Sequence, residues 1–259
     1  FGILPYRTNY LLPISFNKNS YTKRDPSTLD STEKYDSNTE AEFQISLYKS
    51  IAYNIFGLND SLFLSYTQHS WWQLYTDSSP FRETNYIPEI FLSIPNPFEQ
   101  SSVQNLKAIN FGYRHESNGQ DGYSSRSWNR IFLATFWQWE NLFVKIEGWY
   151  RIPEKLKGEE FYTGANINAD GDDNPDILKY YGYGDIQLNY LYGDNQIGVK
   201  IRNNLRSKNK GALELGWTTP IADSRNTYWY FRAFHGYGES LIDYNHENTK
   251  IGFGISFFR

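Results

Sequence analysis

Not one of the 259 residues is cysteine, which removes disulfides, thiol nucleophiles and zinc–thiolate centres from consideration. No apolar run approaches the roughly 18 residues a membrane-spanning helix needs. The mean hydropathy of −0.65 is that of a soluble protein. Positive charge is in deficit, since 25 Lys and Arg against 29 Asp and Glu leave a net charge of −4. With no basic patch interleaved with aromatics, a nucleic-acid partner is excluded. Histidine is scarce at four residues, so histidine chemistry has few places to sit. The chain starts at Phe1 without an apolar signal stretch, and we expect that a secretory signal has been removed ahead of it.

Aromatics, by contrast, are abundant at 19%, with 22 Tyr, 18 Phe and 8 Trp. Outer-membrane barrels have this composition, because aromatic girdles sit at both interfaces while every second residue faces a polar lumen. Strand-period alternation recurs from end to end, and helical periodicity is hard to find. Phe43, Ile45 and Leu47 alternate with Glu42, Gln44 and Ser46, and Ile251, Phe253, Ile255 and Phe257 with Gly252, Gly254 and Ser256. The segments fall at 8–17, 41–50, 61–75, 84–94, 105–117, 126–139, 142–152, 179–192, 195–205, 209–219, 226–237 and 247–258. Asn141 and Gly193-Asp194 read as tight turns, whereas 18–40 and 153–178 are long and polar. The expectation is all-β: one transmembrane antiparallel barrel of twelve strands over 1–259, with long outer loops near 18–40, 76–83, 118–125 and 153–178. A soluble β-sandwich would alternate too, but with its polar set in bulk water and less need for aromatics.

The stretch INFGYRHESNGQDGYSSRSWNR, from Ile109 to Arg130, carries the chemistry. Successive strand side chains point to opposite faces, so Ile109, Phe111, Tyr113, His115 and Ser117 share one side. Asn129 in the next strand shares a face with Ile131, Leu133 and Thr135. Serine becomes a nucleophile only when a neighbouring base takes its proton, and that base is held in one tautomer by a third group. His115 is placed to be the base and Asn129 to orient it, an uncharged choice that suits a lipid-facing setting. The trio continues an apolar row instead of lining a polar cleft, which points to a substrate arriving from the membrane. Of the other histidines, His69 shares parity with Ser65 and Thr67 and is expected in the lumen. Trp71 and Trp72 read as interface anchors. No Gly-x-Ser-x-Gly elbow is present to support a soluble serine esterase, and a passive barrel would need no outward Ser117–His115–Asn129 set.

On these residues the chain resembles the outer membrane phospholipase A family. The likeness runs through His115-Glu116-Ser117-Asn118-Gly119 and Ser125-Arg126-Ser127-Trp128-Asn129-Arg130, Ser70-Trp71-Trp72-Gln73-Leu74, and Ser78-Ser79-Pro80-Phe81-Arg82-Glu83-Thr84-Asn85-Tyr86. It continues in Asp172-Asp173-Asn174-Pro175-Asp176 and in Gly236-Tyr237-Gly238-Glu239-Ser240-Leu241-Ile242-Asp243-Tyr244-Asn245, in family order across nearly the whole chain. The resemblance implies a calcium-dependent phospholipase of the Gram-negative outer membrane. It would cleave acyl esters of phospholipids and lysophospholipids and be active as a homodimer. Carried over by position, Ser117 is the nucleophile, His115 the base and Asn129 the orienting residue. Ser125 and the Gln120 carbonyl would bind calcium, joined by Ser78 of the partner subunit. Gln68, with Leu62 and Leu64 on the same face, would lie in the dimer contact. One departure stands out: the family's additional calcium site pairs two aspartates, and here the first position is Gly122, so either Asp121 beside it substitutes after a local shift to reach Asp173, or this site is weaker.

Overall fold

Alternating segments leave each strand with one apolar face and one polar face, and the chain buries the polar one by closing into a cylinder. The structure, a computed structural model, describes residues 2–19, 21, 27, 35, 37–96 and 103–257. A two-residue segment, β1 (Leu4–Pro5), precedes β2 (Asn9–Asn17), β3 (Thr39–Tyr53), β4 (Ser61–Trp72), β5 (Phe81–Pro95), β6 (Leu106–Ser117) and β7 (Ser127–Trp139). Then follow β8 (Leu142–Arg151), β9 (Gly184–Tyr192), β10 (Asn195–Asn203), β11 (Gly211–Pro220), β12 (Thr227–Tyr237) and β13 (Glu247–Phe257). From β2 on, each strand pairs antiparallel with the next, and β13 returns to β2. The result is a closed antiparallel barrel of twelve strands, as the alternation and the loop lengths implied. Among the described residues no helix is long and apolar enough to cross a membrane, so strands alone can do so.

Several boundaries differ from those read in the sequence. β4 stops at Trp72, where the Trp72 indole turns back to donate to the Ser79 carbonyl at 2.7 Å. The eighth barrel segment was expected from residue 179, yet Leu178–Tyr181 is a helical turn. It ends at Gly182, whose φ of +65° favours glycine and where a Cβ would lie 2.4 Å from the Asn203 carbonyl. Trp71 is not an interface anchor. It shares the lumen face with His69, is 1% exposed, and stacks on that histidine with ring centroids 3.8 Å apart. Trp72, on the outer face, stacks on Phe81. Most of the outer loop 18–40 lies outside the described residues.

The lumen is filled. Around Lys250 its ammonium meets Glu40 at 2.8 Å, Glu42 at 2.9 Å and Glu239 at 2.8 Å. Arg232 bridges Glu42 at 3.0 Å and Glu214 at 2.9 Å. Arg114 binds Glu89 and Glu147, and Arg130 binds Glu116. Above these pairs, Trp128, Phe132, Trp149, Ile177, Tyr181, Leu241 and Tyr244 form an apolar plug near the long-loop end. Such packing closes the barrel interior and makes its wall stiff.

Removing one member of a buried ion pair strands the others. Lys250→Met, which leaves three carboxylates without their ammonium, should cost on the order of 3–5 kcal/mol in reversible urea unfolding from lipid. Lys179→Met should cost less than about 1 kcal/mol, because that side chain is 57% exposed and lies 3.8 Å from Asp176.

Candidate active site

Strands β6 and β7 pair so that His115 lies opposite Asn129 and Ser117 opposite Ser127. Alternation turns Tyr113, His115 and Ser117 outward while Arg114 and Glu116 are buried within. The inward side is a rigid platform: Arg130 pairs with Glu116, lies over the Trp128 ring at 3.5 Å, and Trp128 donates to Glu116 at 3.1 Å. On the outside, His115 Nδ1 and Asn129 Oδ1 are 2.9 Å apart. Tyr113 donates its hydroxyl proton to the same amide oxygen. The amide nitrogen of Asn129 donates to Glu154 at 3.1 Å. With the amide oxygen facing Nδ1, the histidine carries its proton there, and Nε2 is left as the acceptor. Ser117 is half-buried on the same face, and its hydroxyl makes no hydrogen bond to His115 in this structure.

Beneath this trio the outer wall is apolar. A shallow groove of about 380 Å³ runs along β6, β7 and β8, lined by Phe111, Ile131, Leu133, Thr135, Ile146 and Tyr150 among others. It runs from Ile131, two residues below Asn129, to Thr135, roughly 14 Å at ~3.4 Å per residue.

Above the trio, the loop 118–126 is organised by Asn118. Its amide oxygen accepts from the Gln120 and Arg126 backbone N–H groups, at 3.3 and 2.9 Å. Its amide nitrogen donates to the Ser124 carbonyl at 2.9 Å and to buried Glu83 at 3.3 Å. Gly119, at φ +64°, lies against the Tyr86 ring, which a Cβ would meet at 3.1 Å. Among the described residues the Gly119 N–H and the Gln120 carbonyl make no hydrogen bond, so a donor and an acceptor are open beside Ser117.

The expected metal ligands divide into two groups. Ser125, Gln120 and the Gly119 turn lie in one oxygen-rich loop next to the trio. This set of hard, neutral oxygens suits calcium, although it is too small to complete a shell of six to eight ligands. Ser78 sits on the exposed loop between β4 and β5 at φ +61°, available to a neighbouring molecule. The second group centres on Asp173, which accepts from Ser125 at 2.8 Å and from Ser127 at 3.2 Å, while Lys157 meets its other oxygen at 2.7 Å. Asp121 is exposed. A lysine ammonium already supplies the cation there, held against the Phe161 ring at 4.2 Å.

Gln68 faces lipid, where an unpaired amide is costly. The Tyr66 hydroxyl donates to its oxygen at 3.3 Å, and its nitrogen donates to Ser70 at 3.1 Å. Hydroxyls two residues away on the same strand face do this. Leu64 and Tyr66 are exposed beside it. Glu154, Lys157 and Tyr113 were missed. Tyr113 was on the right face to be found by parity, whereas Glu154 and Lys157 lie in a long polar loop where no period marks them.

A closed, solid barrel whose polar cluster lies on its outer, apolar wall defines a class: an enzyme of the membrane surface, not a channel. A family model described as Phospholipase A1 matches residues 1–257. The phospholipase A1 of Escherichia coli K12 is 36% identical over 262 residues, covering 98% of this chain and 81% of its own. That of Salmonella typhimurium is 37% identical over 257 residues, covering 98% and 81%. Outer membrane phospholipase A from Escherichia coli superposes with a TM-score of 0.81 at 34% identity, over 99% of this chain and 98% of that one. The Salmonella typhi outer membrane phospholipase dimer with bound calcium matches at a TM-score of 0.81 and 34% identity, over 99% and 92%. The chain belongs to the phospholipase A1 family and is an ester-hydrolysing enzyme.

Asn118→Ala would leave two backbone N–H groups and one carbonyl without partners. We expect the loop 118–126 to become cleavable by added protease and kcat to fall by roughly tenfold or more, at about 1–3 kcal/mol per stranded group. The heat-modifiable barrel should persist on gels.

Proposed function

We propose that the protein is a calcium-dependent phospholipase of the Gram-negative outer membrane, cleaving acyl esters of phospholipids and lysophospholipids through Ser117, His115 and Asn129. The observation that carries this reading is the bond from His115 Nδ1 to Asn129 Oδ1 on the outer wall, above an apolar groove. An asparagine is also the residue replaced by alanine in a solved active-site mutant of the Escherichia coli enzyme.

The acyl chain lies along Phe111, Ile131 and Leu133 with its ester level with Ser117. The Ser117 hydroxyl rotates onto His115 Nε2, a bond that tightens only with substrate present. Nε2 takes the proton as Oγ adds to the carbonyl carbon, and the Gly119 N–H is placed to donate to the developing oxyanion. As the tetrahedral intermediate collapses, the imidazolium returns its proton to the leaving lysophospholipid or glycerol oxygen. Water, deprotonated by the same Nε2, then releases the fatty acid from Ser117. Asn129 accepts from Nδ1 throughout and stabilises the imidazolium without placing a charge in lipid. Calcium, when bound, would polarise the ester carbonyl, held by Ser125 and the Gln120 carbonyl and completed by Ser78 of the partner subunit.

A shared ion makes the single chain incomplete, and the homodimer is therefore the active form. The contact runs over Leu62, Leu64 and Gln68. Since Gln68 is satisfied within one chain, its contribution to pairing is small, no more than about 0.6 kcal/mol.

Ser117→Ala and His115→Ala should each lower fatty-acid release from detergent-dispersed phospholipid by on the order of 10⁴-fold or more, with the barrel folded. Asn129→Ala should lose less. Residual activity near wild type in folded Ser117→Ala removes it as nucleophile.

Chelation should stop turnover without unfolding the barrel, and re-added calcium should restore it. Activity per chain should rise with protein concentration in step with crosslinked dimer. A calcium-free monomer that turns over at the full rate contradicts the shared-ion scheme.

A further inference from the structure

Asn129 can help His115 only in one of its two orientations. A carboxamide has the same shape when turned by 180°, with the acceptor oxygen and the donor nitrogen exchanged. In the orientation seen, Oδ1 faces Nδ1 of His115, and Nε2 is left without a proton. The turned amide would offer N–H to Nδ1. That forces the ring proton onto Nε2 and leaves Ser117 without a base. A triad whose histidine holds the wrong tautomer loses on the order of 10⁴ in kcat.

The neighbours of Asn129 do not discriminate equally. The imidazole accommodates either orientation by changing tautomer, and the Tyr113 hydroxyl can donate to an oxygen or accept from a nitrogen. An ionised carboxylate only accepts. Glu154 Oε1 lies 3.1 Å from Asn129 Nδ2, where a turned amide would place oxygen against oxygen. Glu154 is half-buried and forms no ion pair among the described residues, so no cation neutralises its demand for a donor.

The backbone fixes this carboxylate in place. The Ile152 N–H donates to the Asn129 carbonyl at 2.9 Å, extending the β7–β8 pairing by one residue. Pro153 has no N–H to continue it, and the chain turns so that Glu154 comes over Asn129. The next residue is strapped down: the Lys155 carbonyl accepts from the Asp172 N–H at 2.7 Å, and Gly171 packs so closely that a Cβ would lie 2.9 Å from that carbonyl.

We infer that Glu154 is a positioning residue: by accepting from the Asn129 amide it holds that amide in the orientation that keeps His115 Nε2 free as the base. The inference rests on the proposed role of Ser117, His115 and Asn129 and adds a fourth, charged member one step removed from the substrate.

Glu154→Gln tests it, because glutamine keeps the size but can accept from one amide orientation and donate to the other. In the full chain with calcium in detergent, on a soluble acyl ester, kcat should fall about tenfold at unchanged KM, and Glu154→Asp should recover part of the loss. In an Asn129→Ala background the same change should alter kcat by less than twofold, since the residue it acts through is gone. Histidine-¹⁵N spectra, assigned with His115→Ala, should show His115 as the Nδ1–H tautomer in the wild type and a mixture in Glu154→Gln. Equal losses in both backgrounds, or an unchanged tautomer, overturn the inference. Full activity in Asn129→Ala alone would instead remove the asparagine from the proposed mechanism, and the tautomer measurement still decides the part played by Glu154.

Discussion

Hydrocarbon offers no hydrogen bonds, and the whole architecture answers that constraint. Backbone groups facing lipid must pair with other backbone groups, which forces the twelve strands into a closed ring with β13 bonded to β2. Closure leaves a narrow interior and an apolar exterior, and it sends every charged strand residue of the wrong parity inward. Those charges then need each other. Lys250 among three glutamates and Arg232 between Glu42 and Glu214 are consequences of the same rule that put Ile251 and Phe231 on the outside.

The filled lumen leaves the outer wall as the surface on which a polar cluster can meet lipid. A barrel solid with ion pairs and aromatic rings has no room for a lipid inside it. Its stiffness is instead useful to the outer surface. Arg114, Glu116 and Arg130 alternate with Tyr113, His115 and Asn129 on the same two strands, so each of these outward side chains projects from a backbone clamped on the opposite side. Preorganisation of this kind is easier on strands than on loops. Only the groups that must handle charge, in the loop 118–126 and around Glu154, rise above the apolar band.

In the outer loops, the chain's own cations neutralise the buried carboxylates. Lys157 occupies Asp173, and Arg151 pairs with Asp172, so both of these aspartates are satisfied within the chain. This ties the long loop to Ser125 and Ser127 without an ion. The open carbonyl of Gln120 and the exposed Ser78 are of a different kind: neutral oxygens with no internal partner to compete for them.

Alternation and loop length were enough to read the barrel, its strand number and the outward parity of His115, Ser117 and Asn129, because a strand's side-chain period is fixed by backbone geometry and holds wherever the segment sits. The same parity places Trp71 inward with His69, two residues before it, although its aromatic character alone suits an interface. Strand ends were less legible, since 179–181 has strand-like composition but is closed into a helical turn by Gly182 against β10. Least legible were the partners that come from distant loops. Nothing in local spacing announces that Lys157 will neutralise Asp173, that Tyr66 and Ser70 will satisfy Gln68, or that Glu154 will come to rest on Asn129. Those pairings depend on which loops meet at the barrel rim once twelve strands have closed, and the order of residues along the chain carries no distance between them.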